Sequence, residues 1–328
     1  MIFFRISDSF ITFAYMKRRR YIIAGIAGLA VLVALAAADL FYGGAADGQV
    51  LRLLRAPRIA TALLAGSALA LSGTQMQSIF RNPLADPHIM GVSAGASLGA
   101  AIATMSGFTL AGGLSIALAA SVGAMASACI ILLASKKFHS AGTLLIFGIM
   151  LGFIVNALVA ILQFSTDAES LKIFYSWSAG SFSTTTWADI ITLTIVLLAG
   201  TALAIAGRKG LDIILFGDEF AQMAGAKVSN IRLTALLSCC IMTGAVTAFC
   251  GPLGFVGITA PHIARWMFGT SSHRIIIPAS ILTGSIISIA ADLLSQLSPT
   301  PLPTASTMAL VGIPVILYIL TAKPSFRK

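Results

Sequence analysis

The chain has 328 residues, 58% of them hydrophobic and only 10% charged, with a mean hydropathy of +0.96. A water-soluble domain carries about 25% charged residues, so this composition excludes a globule covered in water and indicates an all-α polytopic membrane protein. The net charge of +10 does not indicate nucleic acid, because the Lys and Arg residues occupy the gaps between apolar runs instead of clustering on one face among other charges.

A helix needs about 20 apolar residues to cross a bilayer. Residues 1–20 read as an N-terminal leader. MIFFRISDSFITFAY is too short to span, and MKRRRYIIAGIAGLAVLVALAAA from Met16 has the form of an ordinary start and first span, so residues 1–15 are expected to be a non-native or disordered extension. Apolar runs follow at 21–39, 58–79, 90–106, 111–135, 143–164, 189–207, 231–250, 257–270, 275–296 and 304–322. These predict ten spans in one transmembrane domain over 21–322, with a short cytoplasmic tail at 323–328. The runs at 90–106 and 257–270 are short and interrupted by Gly and Pro. Of the 21 Lys and Arg, only Arg52, Arg55, Arg58 and Lys172 fall in the gaps on one side. Basic residues favour the cytoplasmic side, so both termini are expected in the cytoplasm.

The stretch RNPLADPHIMGVSAGASLGA (81–100) lies on that cytoplasmic side, with Gly91, Gly95 and Gly99 on one helical face where another helix can approach closely. It has an echo in GAVTAFCGPLGFVGITAPHIARWMFG (244–269): Pro83-Leu84 against Pro252-Leu253, and Pro87-His88-Ile89 against Pro261-His262-Ile263. An odd number of spans separates the two, which inverts their topology. Inverted repeats with interrupted short helices recur in transporters; a chance likeness is the other reading.

Asp39, Asp189, Arg265 and Asp292 lie at or near span ends, so no mid-span relay of the kind an ion-coupled carrier uses is evident. Nor is there a phosphate loop of the form G-x-x-x-x-G-K-[ST]; AGRKG at 206–210 has the wrong spacing. The driving energy is therefore expected from another subunit. In the cytoplasmic stretch 207–232, Asp218 and Glu219 open a short amphipathic helix that passes through Ala221 and stops at Gly225. That helix is either a linker or a docking element for a motor. On the outer side RLLRAPR places Arg52, Arg55 and Arg58 together, to solvate a helix end or to meet an acidic partner. Cys129, Cys239, Cys240 and Cys250 lie in or beside apolar runs and read as small apolar filler.

Taken together, NPLADPHIMGVSAGASLGA (82–100), GPLGFVGITAPHIARWMFGTSSHRIIIPAS (251–280), AADLLSQ (290–296), GIPVILYIL (312–320) and, less tightly, FGDEFAQMAGAKV (216–228) resemble the permease subunits of ABC importers for iron chelates, haem and vitamin B12. The resemblance runs from about residue 20 to the end of the chain. It implies an inverted-repeat type II importer fold with ten transmembrane helices per subunit, a homodimer, and a pathway on the two-fold axis in a bacterial inner (cytoplasmic) membrane. It further implies two ATP-binding subunits below and a periplasmic or lipid-anchored substrate-binding protein above. No cofactor is expected on this chain; ATP and Mg belong to the partner ATPase.

Position by position, the resemblance assigns Asn82 and Leu84, with Ala141 and Gly142, to a cytoplasmic gate. It assigns Asp218, Glu219, Ala221 and Gly225, within a coupling region at 208–230, to the ATPase contact, and Arg55 and Arg58 to docking of the binding protein. Asn156 and Gln163, the strong polar side chains of the fifth span, are candidates for the pathway, with packing hydrogen bonds as the plain reading. A third docking arginine of some relatives falls at Gln296, and the usual Glu-Leu-Pro-x-Gly before the last helix reads PLPTA at 301–305. An iron chelate, siderophore or haem, is the expected cargo, with cobalamin the alternative; an ion-coupled carrier working alone is the reading from another class.

Overall fold

The computed structural model describes residues 2–42, 48–105, 114–138, 140–298 and 300–321, with backbone alone for 2–18, 114–115 and 319–320. Among these residues there are twelve helices: α1 Ile2–Phe41, α2 Gly48–Phe80, α3 Val92–Met105, α4 Leu114–Lys137, α5 Ala141–Phe164, α6 Ala168–Ser178, α7 Trp187–Ile214, α8 Asp218–Met223, α9 Val228–Cys250, α10 Val256–Phe268, α11 His273–Ser295 and α12 Thr304–Thr321. Ten of them coincide with the ten expected spans. Seven are long and apolar enough to cross a membrane; α3, α10 and α12 are shorter. α1 starts at Ile2, so the backbone of the expected leader continues the first helix. The expected tail at 323–328 lies outside the described residues, as do residues 111–113 of the fourth expected span.

α2 is the axis of the bundle, buried nearly all round. Its small residues make this possible. A Cβ on Gly66 would stand 2.3 Å from the Gly284 carbonyl oxygen of α11, and one on Gly73 would stand 1.9 Å from that of Gly257 in α10. Hydroxyls join α2 to its neighbours: Thr61 to Thr185 in the loop before α7 at 2.6 Å, and Ser67 to Ser285 at 2.8 Å and Thr74 to Ser280 at 2.9 Å in α11. In hydrocarbon, where apolar surface gives helices no reason to associate, close backbone approach and interhelical hydrogen bonds are what hold a bundle together. α3 and α4 are joined in the same way, Gly95 against Gly123 and Gly99 against Ala119, as the glycine stripe predicts.

The two Gly/Pro-rich stretches meet inside the bundle. After α2 the chain turns at Arg81, which caps the helix in the left-handed region, and climbs back along α5 to a 3₁₀ turn at Pro87–Met90. Gly91, at φ 81°, lies against Gly148 and Gly152. Those residues stand two to three turns inside α5, about 10–16 Å from its end at 1.5 Å per residue. From the other side, α10 begins at Val256, and its Gly257 touches Pro87, Gly73 and the Leu69 carbonyl. The His88 Nε2 contacts the Leu253 carbonyl oxygen. α3 and α10 are thus half-length helices whose starts face each other at membrane depth. The echo between the stretches holds for the Pro-Leu pairs but not for Pro-His-Ile: Pro87 precedes its helix, whereas Pro261 lies inside α10. Lacking an N–H, Pro261 frees the Gly257 carbonyl, and Gln77 Nε2 of α2 donates to the Gly257 and Ile258 oxygens at 3.3 Å.

Substituting Gly73→Ala should lower thermal stability in detergent, because the added Cβ meets backbone that cannot step aside; overpacking of this kind costs about 1–3 kcal/mol. Gly25→Ala, where a Cβ meets nothing within 4 Å, should leave the melting temperature unchanged or slightly raised.

Candidate functional site

The candidate residues lie at two ends of the bundle and along α5. At one end the short helix α8 stands between α7 and α9. Gly217, at φ 115°, lets the chain turn sharply into it, and Gly225, at φ 79°, ends it with the Ala226 N–H donating to the Ala221 carbonyl. Ala221 is fully buried and packs with Ile214 and Val228, so it anchors α8 to the bundle. Asp218 is tied to Arg232 of α9 by an ion pair, while Glu219 is exposed. The sequence reading did not single out the outward side: Phe216, Phe220 and Met223 are 75%, 48% and 81% exposed, and the two phenyl rings pack at a 50° tilt with centroids 5.4 Å apart. Their i, i+4, i+7 spacing is the signal that could have found them.

Beside α8 lies the 82–91 loop. The Asn82 Oδ1 accepts the Leu84 N–H at 2.9 Å, so this side chain shapes the turn, and Leu84 is left 46% exposed. Ala141 is buried at the start of α5, and Gly142 next to it is exposed, a Cβ there meeting only the Ser140 hydroxyl at 3.9 Å. α5 buries a single stripe, Ala141, Leu144, Gly148, Gly152, Val155 and Val159. Its opposite face is exposed, Asn156 is exposed at the flank of the buried stripe, and Gln163 is half-buried. Of the four expected gate residues, Leu84 and Gly142 present themselves outward, Asn82 is half-buried and Ala141 is in the core.

At the other end Arg55 and Arg58 are both engaged within the chain. The Arg58 fork grips Asp292 through Nε at 2.9 and 2.8 Å and through Nη2 at 2.8 Å, and Nη2 also donates to Ser295 Oγ at 2.9 Å. Arg55 Nη1 donates to the carbonyls at the end of α1, from Leu40 (3.1 Å) and Tyr42. Gln296, standing where some relatives have an arginine, donates to Asp39. The exposed cations at this end are Arg52 and Lys172.

α6 lies here too. It is an element the sequence reading left as a gap, because eleven residues of mixed polarity make no apolar run. Asp167 caps it, accepting the Ser170 N–H at 2.9 Å, which holds that carboxyl below its ordinary range. α6, the ends of α4, α7 and α9 on this side, and the loop before α7 line an open cavity of about 840 Å³, with Glu169, Lys172, Ser176, Thr184 and Asp189 in its wall.

Comparison with known proteins agrees with this architecture. The family model described as the FecCD transport family matches residues 21–322. The hemin transport system permease protein HmuU of Yersinia pestis is 33% identical over 273 residues, covering 81% of each chain. The vitamin B12 import system permease protein BtuC of Klebsiella pneumoniae is 31% identical over 326 residues, covering 95% of this chain and 98% of its own. The molybdate import system permease protein MolB of Haemophilus influenzae is 31% identical over 271 residues, 81% of this chain and 79% of its own. A solved structure described as an inward-facing conformation of a metal-chelate type ABC transporter superposes with a TM-score of 0.84 at 27% identity, covering 91% of this chain and 98% of that one. Half-length helices meeting at membrane depth, a short helix with apolar residues turned outward at one end, and these matches over nearly the whole chain have one reading: this chain belongs to the FecCD transport family and is a membrane permease subunit of the ABC importer type.

Proposed function

We propose that the chain moves an iron chelate, a siderophore complex or haem, across the bacterial cytoplasmic membrane, as one half of a homodimer driven by two ATP-hydrolysing subunits at the α8 end. The observation that carries the motor docking is the outward side of α8. Phe216, Phe220 and Met223 stand exposed beside Glu219 at the end of the bundle. An apolar group rimmed by charge at a water-facing end is a protein contact surface. The basic residues on this side, Arg81, Lys136, Lys137, Arg208, Lys209 and Lys227 among them, make it the cytoplasmic side, with both termini there. ATP and Mg are held by the partner.

The pathway runs along the free face of α5. Asn156 is exposed in the middle of a span, where a polar side chain facing lipid would be costly, so this face is turned to a water-filled pathway or to the second protomer. When ATP closes the motors, α8 moves with them, because Ala221 and the Asp218–Arg232 pair fasten it to α7 and α9. The 82–91 loop, packed on α5, then opens or shuts the cytoplasmic side at Leu84 and Gly142. At the outer side a binding protein delivers the cargo. The names of the haem and vitamin B12 relatives support a large chelate, with cobalamin the alternative cargo. The reading is tested by reconstituting the chain with its ATPase and binding protein in liposomes: uptake of the ligand that the binding protein retains should require ATP. Accumulation by the chain alone would overturn it in favour of an ion-coupled carrier.

Glu219→Lys should abolish ATP-driven uptake while leaving membrane insertion intact, read by transport assay and by yield of folded chain. For docking of the binding protein, the exposed Arg52 joins Arg55 and Arg58, which were expected in that role and also hold partners within the chain. Arg52→Glu should weaken a salt-sensitive association without changing stability. Arg58→Glu should instead fail at folding, since leaving Asp292 buried without its partner costs about 3–5 kcal/mol. Measuring affinity and melting temperature for both variants separates the two roles.

A further inference from the structure

We propose that Ser78, His273 and Asp212 form a positioning link that carries motor movement from the α7–α8 corner to the cytoplasmic gate loop; this rests on the docking of an ATPase at α8. Asp212 is in the last turn of α7, just before the chain enters α8. Its Oδ1 accepts from the backbone N–H of His273 at 2.8 Å and is paired with the ring Nδ1 at 2.7 Å. His273 is the first residue of α11. Its Nε2 is 2.7 Å from Ser78 Oγ, in the last turn of α2, and Ser78 lies one turn before Asn82.

One imidazole therefore joins three helices that come from widely separated parts of the chain, and it spans from the support of α8 to the start of the gate loop.

The ring is well placed to transmit displacement. The His273 side chain is 2% exposed and Ser78 is wholly buried, so no water stands ready to replace the His273–Ser78 contact when the helices shift; Asp212, 36% exposed, is the water-facing end of the link. With Nδ1–H given to Asp212, the single Ser78 hydroxyl proton is shared between the ring Nε2 and the Thr74 carbonyl at 2.8 Å, and the link holds only while all three helices keep their relative positions. Breaking it strands a buried polar group, which costs about 1–3 kcal/mol. A second contact runs alongside. The Arg81 guanidinium lies over Gly217, 3.3 Å from where a Cβ would be, so the end of α2 and the start of α8 adjoin. The order Ser–His–Asp is that of a hydrolytic triad, but a buried Ser78 has no room for a substrate, and the geometry here serves to connect helices.

The test uses the complex of the chain with its ATPase, in a Cys129→Ser background, with Leu84→Cys as a reporter and a fluorescent maleimide as the probe. Labelling rates are compared without nucleotide and with ATP, Mg and vanadate. In the otherwise unaltered complex, trapped nucleotide should change the rate by about fivefold or more, the lower range of typical coupling between sites. His273→Phe keeps a ring but breaks both ends of the link, and should reduce that change to below about 1.5-fold while ATP hydrolysis persists. His273→Gln, which retains one donor and one acceptor, should restore part of it. Ser78→Ala and Asp212→Asn should each blunt the response, and the double variant should be no worse than the stronger single one, as expected for groups in one network. An undiminished nucleotide response in His273→Phe overturns the inference; if that variant does not assemble, an undiminished response in both Ser78→Ala and Asp212→Asn overturns it. Absence of any nucleotide response in the unaltered complex would instead overturn the docking reading.

Discussion

The ring of His88 and the carbonyl of Leu253 face each other at a depth where the surrounding lipid offers no hydrogen bonds. A break in a transmembrane helix is tolerated only where protein satisfies the freed backbone groups or encloses the site, and this chain has two breaks. It places them against one another and against α2. Pro87 sits on Gly257, Gly257 on Gly73, and Gln77 answers the carbonyls that Pro261 releases. The need for backbones to touch there explains the small residues along α2, and the buried α2 in turn fixes where its last turn, and hence the 82–91 loop, must stand.

The polar residues of the spans serve the same economy at the two ends. Asp292 is fully buried, yet it receives both arms of the Arg58 fork and lies within reach of Gln296. A buried carboxylate is acceptable on those terms. The consequence for function is a division of labour among neighbouring arginines: Arg58 holds α2 to α11, Arg55 closes the end of α1, and Arg52 remains outside. A cluster of like residues in sequence thus separates into structural and surface roles according to which carbonyl or carboxylate each one reaches.

At the opposite end α8 combines a rigid seat with an exposed face. Ala221 and Asp218 bind it to the bundle, and Phe216, Phe220 and Met223 are left outward. Under the proposed docking of an ATPase this pairing is what transmission needs, since a flexible helix would absorb the partner's movement and a covered one could not be gripped.

The number of apolar helices and the positions of both breaks were legible in the sequence because they are properties of short, contiguous segments: an apolar run, a Gly-Pro interruption. The glycine pattern at 95 and 99 foretold the α3–α4 contact for the same reason. α6 escaped notice because its eleven residues carry no apolar run, and the outward face of α8 escaped because attention fell on its acids. What the sequence alone could not decide is which side chains meet. Arg58 and Asp292 are 234 positions apart and Ser78 and His273 are 195 apart, and no local pattern distinguishes an arginine whose carboxylate awaits it across the bundle from one that faces water. Hydropathy is fixed by the residues themselves, whereas partnership is fixed by packing, so only the tertiary structure determined which charges are structural and which remain free to act.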